Sequence, residues 1–299
     1  MKIIHNPQAS VLRRLLAGPE FLTLPGVYDA LTAKIAAQAG FKCLVMGGYS
    51  IAASRLGQPD VGYLTMTEMA QALKGICDAV DLPVAADGDT GYGNALSVRR
   101  TVLEYEKAGA AAILFEDQVW PKRCGHMDGK QVITAEEHAQ KLRAAVDARV
   151  DKEMMIMART DTRAINGLDD AIERGKRYAD AGAEILFIEA LRDRSEIEKA
   201  ARAFEGTGIY LTSNMIEGGK TPLIPASELE QMGYSVVFWA CSSLYLVSKT
   251  LHDAFTVLNT TGTTASIADK MIDFPRFNHF IGLDTYKKLE REYKVDRDD

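Results

Sequence analysis

One short unit recurs four times along the chain and restricts its fold more than any other feature. A helical stretch ends at a glycine, and an apolar run follows. The copies are Ala39-Gly40 before Cys43-Leu44-Val45-Met46-Gly47, and Ala108-Gly109 before Ala112-Ile113-Leu114-Phe115-Glu116. The other two are Ala181-Gly182 before Ile185-Leu186-Phe187-Ile188-Glu189, and Met232-Gly233 before Val236-Val237-Phe238-Trp239-Ala240. In each copy seven positions separate the glycine from the residue that ends the run. Glycine suits a helix C-terminus because it enters the left-handed conformation without a Cβ clash. A continuously apolar run suits a strand covered on both faces.

Four further strands are expected at Leu22–Val27, Val84–Asp87, Met154–Ala158 and Ile209–Thr212, making eight. Helical stretches at Asp29–Ala39, Thr67–Val80, Leu96–Ala108, Ala135–Ala148, Leu168–Ala181, Ser195–Phe204 and Ser227–Met232 separate most of them. Such alternation calls for parallel pairing with right-handed crossovers. An α/β fold follows, most economically a (β/α)8 TIM-type barrel over about residues 20–260, with a doubly wound open sheet as the rival. Ser242–Leu258 reads as the last barrel helix. Extra helical pieces, broken near Pro275 and Gly282, then form an arm over about 264–299 that caps the surface or packs on a neighbouring subunit.

With 299 residues, one such barrel accounts for the whole length as a single domain. The net charge of −6 speaks against nucleic acid or anionic membrane as partner. No apolar run reaches membrane-spanning length, and the first residues lack the apolar core of a signal peptide. Four cysteines are too sparse for a disulfide framework, so a cytoplasmic, reduced protein is expected.

Active-site groups of such a barrel lie just past the C-terminal strand ends. There the sequence places Asp29, Gly47-Gly48-Tyr49, Asp87-Gly88-Asp89, Glu116-Asp117, Arg159-Thr160-Asp161, Glu189 and Ser213-Asn214. Asp87, Asp89 and Glu116, with Asp60 in the loop Leu56-Gly57-Gln58-Pro59-Asp60, form an all-oxygen ligand set. Hard carboxylate donors without histidine or cysteine favour Mg²⁺, or Mn²⁺. Such an ion suits a 2-hydroxy- or 2-oxo-carboxylate, and Arg159 is placed to grip a second carboxylate bidentately.

The long loop after the fourth strand carries Lys122-Arg123-Cys124-Gly125-His126. A thiol flanked by three basic side chains is expected to have a lowered pKa. Cys43, Cys77 and Cys241 read as core residues. His5, His138, His252 and His279 read as surface or packing residues. Gly219-Lys220-Thr221 lacks the first glycine of a phosphate loop, Asn214 standing in its place, and no dinucleotide fingerprint follows the first strand.

Asp87-Gly88-Asp89-Thr90-Gly91-Tyr92-Gly93, Phe115-Glu116-Asp117-Gln118, the Lys122–His126 loop and Met157-Ala158-Arg159-Thr160-Asp161 together resemble the isocitrate lyase/phosphoenolpyruvate mutase superfamily. The loop motif is most similar to its lyase branch, which includes methylisocitrate and 2,3-dimethylmalate lyases. The resemblance implies a (β/α)8 barrel whose C-terminal helices are swapped in a homo-oligomer, a dimer of dimers. It implies Mg²⁺ held by Asp60, Asp87, Asp89 and Glu116, with the loop around Cys124 as a lid. Lys122, Arg123, Gly125 and His126 come to the site with that loop. Gly47, Gly48, Arg159, Glu189 and Asn214 match substrate-contacting positions. One departure stands out: methylisocitrate lyases carry serine at the position of Gly47.

The expected activity is a Mg²⁺-dependent carbon–carbon lyase acting on a small-molecule 2-hydroxy di- or tricarboxylate, of the 2-methylisocitrate or 2,3-dimethylmalate type. Its products are a 2-oxo acid and a carboxylate. Cys124 is the expected acid, and Tyr49 a candidate base by position. The alternatives are an oxaloacetate hydrolase, a phosphoenolpyruvate/phosphonopyruvate mutase and a non-catalytic metabolite-binding barrel.

Overall fold

The computed structural model describes residues 6–294; His5 and the last five residues of the expected arm lie outside them. Its strands are β1 (Leu22–Val27), β2 (Leu44–Met46), β3 (Val84–Asp87), β4 (Ala112–Glu116), β5 (Met155–Thr160), β6 (Ile185–Ile188), β7 (Tyr210–Asn214) and β8 (Val236–Trp239). All are parallel and follow one another in sequence order, and β8 pairs with β1 to close a barrel. Closure rules out the open-sheet alternative.

Ten helices surround or join the strands. They are α1 (Pro7–Ala17), α2 (Ala30–Gln38), α3 (Gly48–Leu56), α4 (Met66–Cys77), α5 (Ala95–Ala108), α6 (Ala135–Ala148), α7 (Arg163–Asn166), α8 (Leu168–Asp180), α9 (Arg194–Ala203) and α10 (Ala226–Gln231). The repeat glycines do what the pattern requires: Gly40, Gly109, Gly182 and Gly233 have φ of 90°, 104°, 97° and 100°. Helices α1, α3 and α7 were not expected. For α1 the signal is present, because the Asn6 side chain accepts from the Gln8 amide and Pro7 takes the first helical position.

Continuous apolar runs conceal a two-residue alternation. Leu22, Leu24, Val45, Ala85, Ala112, Leu114, Met155, Met157, Ile185, Phe187, Val236 and Phe238 pack together with Leu12 and Leu16 of α1. These side chains fill the barrel, and α1 supplies part of that filling. Residues of the other parity, including Met46, Ala86, Ile113, Ile156, Leu186 and Val237, join the larger layer shared with the helices. Extending the inward parity by one step in β2 to β7 reaches Gly47, Asp87, Glu116, Arg159, Glu189 and Asn214. One geometric rule therefore fills the barrel with apolar groups and crowns it with polar ones.

The chain divides into two compact units, residues 1–245 and 246–299. Helix α11 (Ser242–Thr261) runs across the boundary. The second unit continues with a 3-10 turn at Ala265–Lys270, α12 (Phe274–Phe280) and α13 (Leu283–Glu292). The helical pieces break at residues 271–273, and Pro275 follows as the second residue of α12, where its missing N–H costs nothing. Gly282, with φ of 93°, does mark a break. None of α11, α12 and α13 contains a buried residue.

Candidate active site

The inward residues at the strand ends meet the loop after β4 in two adjoining clusters. In the first, Asp87 ends β3 and uses both oxygens locally: Oδ2 accepts from the Gly48 amide at 2.9 Å and Oδ1 from the Asp89 amide at 3.0 Å. A Cβ on Gly48 would lie 3.1 Å from Asp87 Oδ2 and 3.2 Å from Lys122 Nζ, so glycine keeps this corner open. Asp89 accepts from the Tyr92 hydroxyl at 2.9 Å. The Lys122 ammonium stands 2.7 Å from both Asp60 Oδ1 and Asp89 Oδ1. Burial works against that ammonium, but Asp89, Asp60, Glu116 and Asp87 hold it charged.

The second cluster is built around Arg159. Its Nε and Nη2 form a two-pronged pair with Asp161, at 2.9 and 3.0 Å. Nη1 faces Glu116 Oε2 and Nη2 faces Glu189 Oε2, each at 3.2 Å. The guanidinium carbon lies 5.5 Å from the centroid of the Phe187 ring. Asp161 also receives Lys130 Nζ at 2.9 Å, and the same ammonium donates to the Gly125 carbonyl. Behind the strands, Asp117 accepts from the Thr160 hydroxyl, the Asp161 amide, Arg174 and Tyr178, which fixes β4, β5 and α8 to one another.

The loop folds over this mouth. Gln118 clasps it, its Oε1 accepting from the Arg123 amide and its Nε2 donating to the Arg123 carbonyl. The Cys124 amide donates to the Asp60 carbonyl at 3.2 Å. Gly125 enters so closely that a Cβ there would lie 2.3 Å from Glu189 Oε2 and 2.4 Å from Arg159 Nη2. His126 Nδ1 accepts from the Lys220 amide at 2.8 Å, which leaves the proton of the neutral ring on Nε2, 3.2 Å from Glu189 Oε1.

Several sequence expectations need correction. The four carboxylates do not form a preassembled ligand set: among the described residues no three His, Cys, Asp or Glu side chains are gathered to hold a metal. Like charges repel, and here Lys122 stands between Asp60 and Asp89 while Arg159 faces Glu116. The Arg159 fork is taken by Asp161 and so is not free for bidentate capture of a second carboxylate. The thiol of Cys124 is not activated by its basic neighbours. Burial pushes it up to about 11, because Lys122 is paired elsewhere and the exposed Arg123 guanidinium reaches the Asp128 carbonyl. Arg123 therefore contributes backbone to the site and no side chain. Tyr49 stands edge-on to Tyr245, ring centroids 6.3 Å apart.

Asn214, at the end of β7, lines a cavity of about 50 Å³ with Gly47, Asp87, Arg159, Leu114 and Phe187. Its Oδ1 is buried without a hydrogen-bond partner. A much larger groove, about 660 Å³, lies outside the barrel beside α9 and α10. None of the residues at the barrel mouth lines it, and its Arg194 is paired with Glu198 and Glu228, so size does not mark the site. Sequence reading did not single out Lys130, and it placed Asp161 at the mouth without giving it a role. Asp161 was detectable, since it lies one inward step beyond Arg159.

The mouth has a deficit of positive charge that suits a hard cation. Among the described residues Asp60, Asp89, Glu116, Asp161 and Glu189 face Lys122, Lys130 and Arg159, with His126 beside Glu189, and Asp87 accepts hydrogen bonds from backbone amides. Both oxygens of the fully buried Glu116 lack a hydrogen-bond partner, and burial raises its carboxyl well above the ordinary range despite Arg159. Buried carboxylate oxygens of this kind are the donors that Mg²⁺ and Mn²⁺ select.

A family model described as phosphoenolpyruvate phosphomutase matches residues 12–258. A 2,3-dimethylmalate lyase of Eubacterium barkeri is 46% identical over 289 residues, covering 97% of this chain and 99% of that protein. A 2-methylisocitrate lyase of Aeropyrum pernix is 39% identical, with 94% and 90% covered. A solved phosphonopyruvate hydrolase, in complex with oxalate and Mg²⁺, superposes with a TM-score of 0.87 at 26% identity, with 96% and 99% covered. The chain belongs to the phosphoenolpyruvate phosphomutase family, within the superfamily that its own motifs resemble.

Proposed function

We propose that this protein is a Mg²⁺-dependent carbon–carbon lyase that cleaves a 2-hydroxy di- or tricarboxylate to a 2-oxo acid and a carboxylate. The observation that carries this reading is the loop after β4 folded over the carboxylate mouth, which sets Cys124 between Asp60, whose carbonyl accepts from the Cys124 amide, and the Glu189–Arg159 pair against which Gly125 packs. A lyase of this kind needs a carbon acid's proton delivered in a closed site, and a neutral thiol supplies it. The lyases at 39–46% identity support the same class.

Asp60, Asp87, Asp89 and Glu116 would hold the metal, with Lys122 giving way to it. When bound, the ion supplies Lewis-acid stabilisation of negative charge on the substrate's oxygens. The protein's own groups do the rest. The hydroxyl proton passes to a base at the mouth, for which Tyr49, edge-on to Tyr245, is the candidate by position. The bond between the carbinol carbon and the carbon bearing the second carboxylate breaks, and its electron pair goes to the latter. The guanidinium of Arg159, held rigid by Asp161 and Glu189, stabilises the developing negative charge. Sγ of Cys124 delivers its proton to that carbon and is reprotonated from solvent when the lid opens. Glu189 and His126 lock the lid, Gly47, Gly48 and Asn214 line the substrate's side, and Gly125 permits the close approach.

The second unit supports a further part of the reading, assembly through its arm into a homo-oligomer. Leu246, Phe255, Phe274, Tyr286 and Tyr293 are all more than 60% exposed, an unusual apolar load for residues in contact with water. Among the described residues no helix is long and apolar enough to cross a membrane. Light scattering on the full chain should show an even-numbered oligomer, and a monomer would contradict that part.

The activity is tested with 2,3-dimethylmalate, 2-methylisocitrate, citramalate and oxaloacetate, with and without Mg²⁺. Metal-dependent release of pyruvate from one of the hydroxy acids is expected. Release of oxalate from oxaloacetate, with no 2-oxo acid from the others, would assign the hydrolase instead.

A further inference from the structure

Lys130 carries a charge on a side chain only 2% exposed. Burying an ammonium is costly unless its partners offset the lost hydration. The residue stands where the loop after β4 rejoins the barrel. Just beyond it, the Val119 amide donates to the Gln131 carbonyl at 2.8 Å and the Ile133 amide to the Asp117 carbonyl at 2.9 Å. Gln118 and Val132 form an antiparallel bridge between those bonds. Lys130 therefore sits at the anchored foot of the loop, while Gly125 lies at its tip, over the mouth. From the foot the ammonium reaches back to the tip: it donates to the Gly125 carbonyl and, at 2.9 Å, to Asp161 Oδ1. Asp161 is itself fixed, its amide donating to Asp117 Oδ1 at 2.9 Å and its carboxylate taking Nε and Nη2 of Arg159. A continuous line of charge-assisted contacts thus runs from the lid backbone to the guanidinium.

We infer that Lys130 is a positioning residue: one ammonium, holding the Gly125 carbonyl and Asp161 together, fixes the Cys124 thiol and the Arg159 guanidinium in a single frame. This rests on the lyase reading above, in which both groups act on the same carbon. Arg159 belongs to β5 and Cys124 to the loop after β4, so neither backbone alone sets the distance between them. Neutralising Asp161 does not require a second cation, because Arg159 already meets both of its oxygens. What Lys130 adds is the grip on Gly125, the neighbour of Cys124 and the residue whose Cα packs against Arg159 Nη2. Lys130 does this without reaching the substrate.

The test compares the full-length wild type with Lys130→Met and Lys130→Gln, which keep much of the bulk of lysine and remove its charge. Alkylation of each cysteine by iodoacetamide at one fixed pH, read by mass spectrometry, needs no turnover. Cys124 should react about tenfold faster in both variants, while Cys43 and Cys77, away from the mouth, keep their wild-type rates. In the lyase assay kcat should fall by about 10–100-fold. The Mg²⁺ concentration for half-maximal rate should stay within about twofold, because the partners of Lys130 are Gly125 and Asp161 and not the metal-holding carboxylates. A lysine that merely supports the fold would loosen Cys43 and Cys77 as well, and that result would overturn the assignment. So would an unchanged Cys124 reactivity or an unchanged kcat. If the wild type releases no 2-oxo acid from any hydroxy acid, the lyase reading fails, and the pattern of alkylation alone decides the role of Lys130.

Discussion

Glu116 and Glu189 occupy the same register in two copies of the repeat, seven residues after Gly109 and Gly182. Each is buried and lies 3.2 Å from a different nitrogen of the one Arg159 guanidinium. Their states are nevertheless opposite. Burial raises Glu116 well above the carboxylate range. Glu189 suffers the same burial, yet Arg159 and His126 more than offset it and hold the group at about 2. The difference lies in the other neighbours: Asp161 and Asp87 push Glu116 up, whereas His126 and Lys130 draw Glu189 down, and the hydrogen bonds differ too. Glu189 accepts from the Ala190 amide and meets the lid through His126, whereas neither oxygen of Glu116 has a donor. An ion pair with arginine does not by itself settle a buried carboxylate; its remaining lone pairs must be satisfied too. On one side of Arg159 the protein supplies the donors through its lid. On the other it leaves them to a cation.

The largest test of this division removes the group that the lid brings in. Cys124→Ala should lower the rate of 2-oxo acid release by about 10²–10⁴-fold while Mg²⁺-dependent binding of oxalate persists, as read by thermal shift. Gly125→Ala comes next. Its methyl would collide with the Glu189–Arg159 pair, so the lid should fail to seat and kcat/KM should fall by about 10²-fold.

On the cation side, Glu116→Gln should raise the Mg²⁺ concentration needed for half-maximal activity by about tenfold or more. The same change should raise the melting temperature of the metal-free protein. A carboxyl whose folded-state pKa is raised is stabilising only at low pH, and that contribution is lost as pH rises through the folded value, so glutamine removes a penalty at neutral pH. On the lid side the sign reverses. The lowered pKa of Glu189 contributes stability above its unfolded value, lost as pH falls through the ordinary glutamate range towards about 2. Glu189→Gln should cost about 1–3 kcal/mol at neutral pH and flatten the acid limb of the stability curve, measured by urea unfolding at several pH values. Equal and same-signed effects at the two positions would dissolve the comparison. The smallest effect belongs to Arg123→Ala, whose side chain points away; its kcat/KM should stay within about twofold of the wild type.

The barrel was legible because its signal is local. A glycine in the left-handed region and a strand buried on both faces leave their marks within seven residues, and the inward parity then locates Asp87, Glu116, Arg159, Glu189 and Asn214. Helix α3 was hidden by Gly47-Gly48, which read as loop although one glycine is its N-cap. Pairing was harder, because who neutralises whom depends on residues distant in sequence. Basic neighbours of Cys124 suggested a thiolate, but Lys122 turns to Asp60 and Asp89, and Arg123 turns to solvent. Lys130, which ties the Gly125 carbonyl to Asp161, carries no motif that would have singled it out.

The central claim is that the lid delivers Cys124 as a neutral thiol. It is tested by the pH dependence of thiolate absorbance in the metal-free protein, taken as the difference between the wild type and Cys124→Ser. Cys43, Cys77 and Cys241, all pushed up to about 12 by burial, cancel in that difference. The account predicts a thiolate signal that appears only near pH 11. A thiolate already present at pH 7 would contradict it.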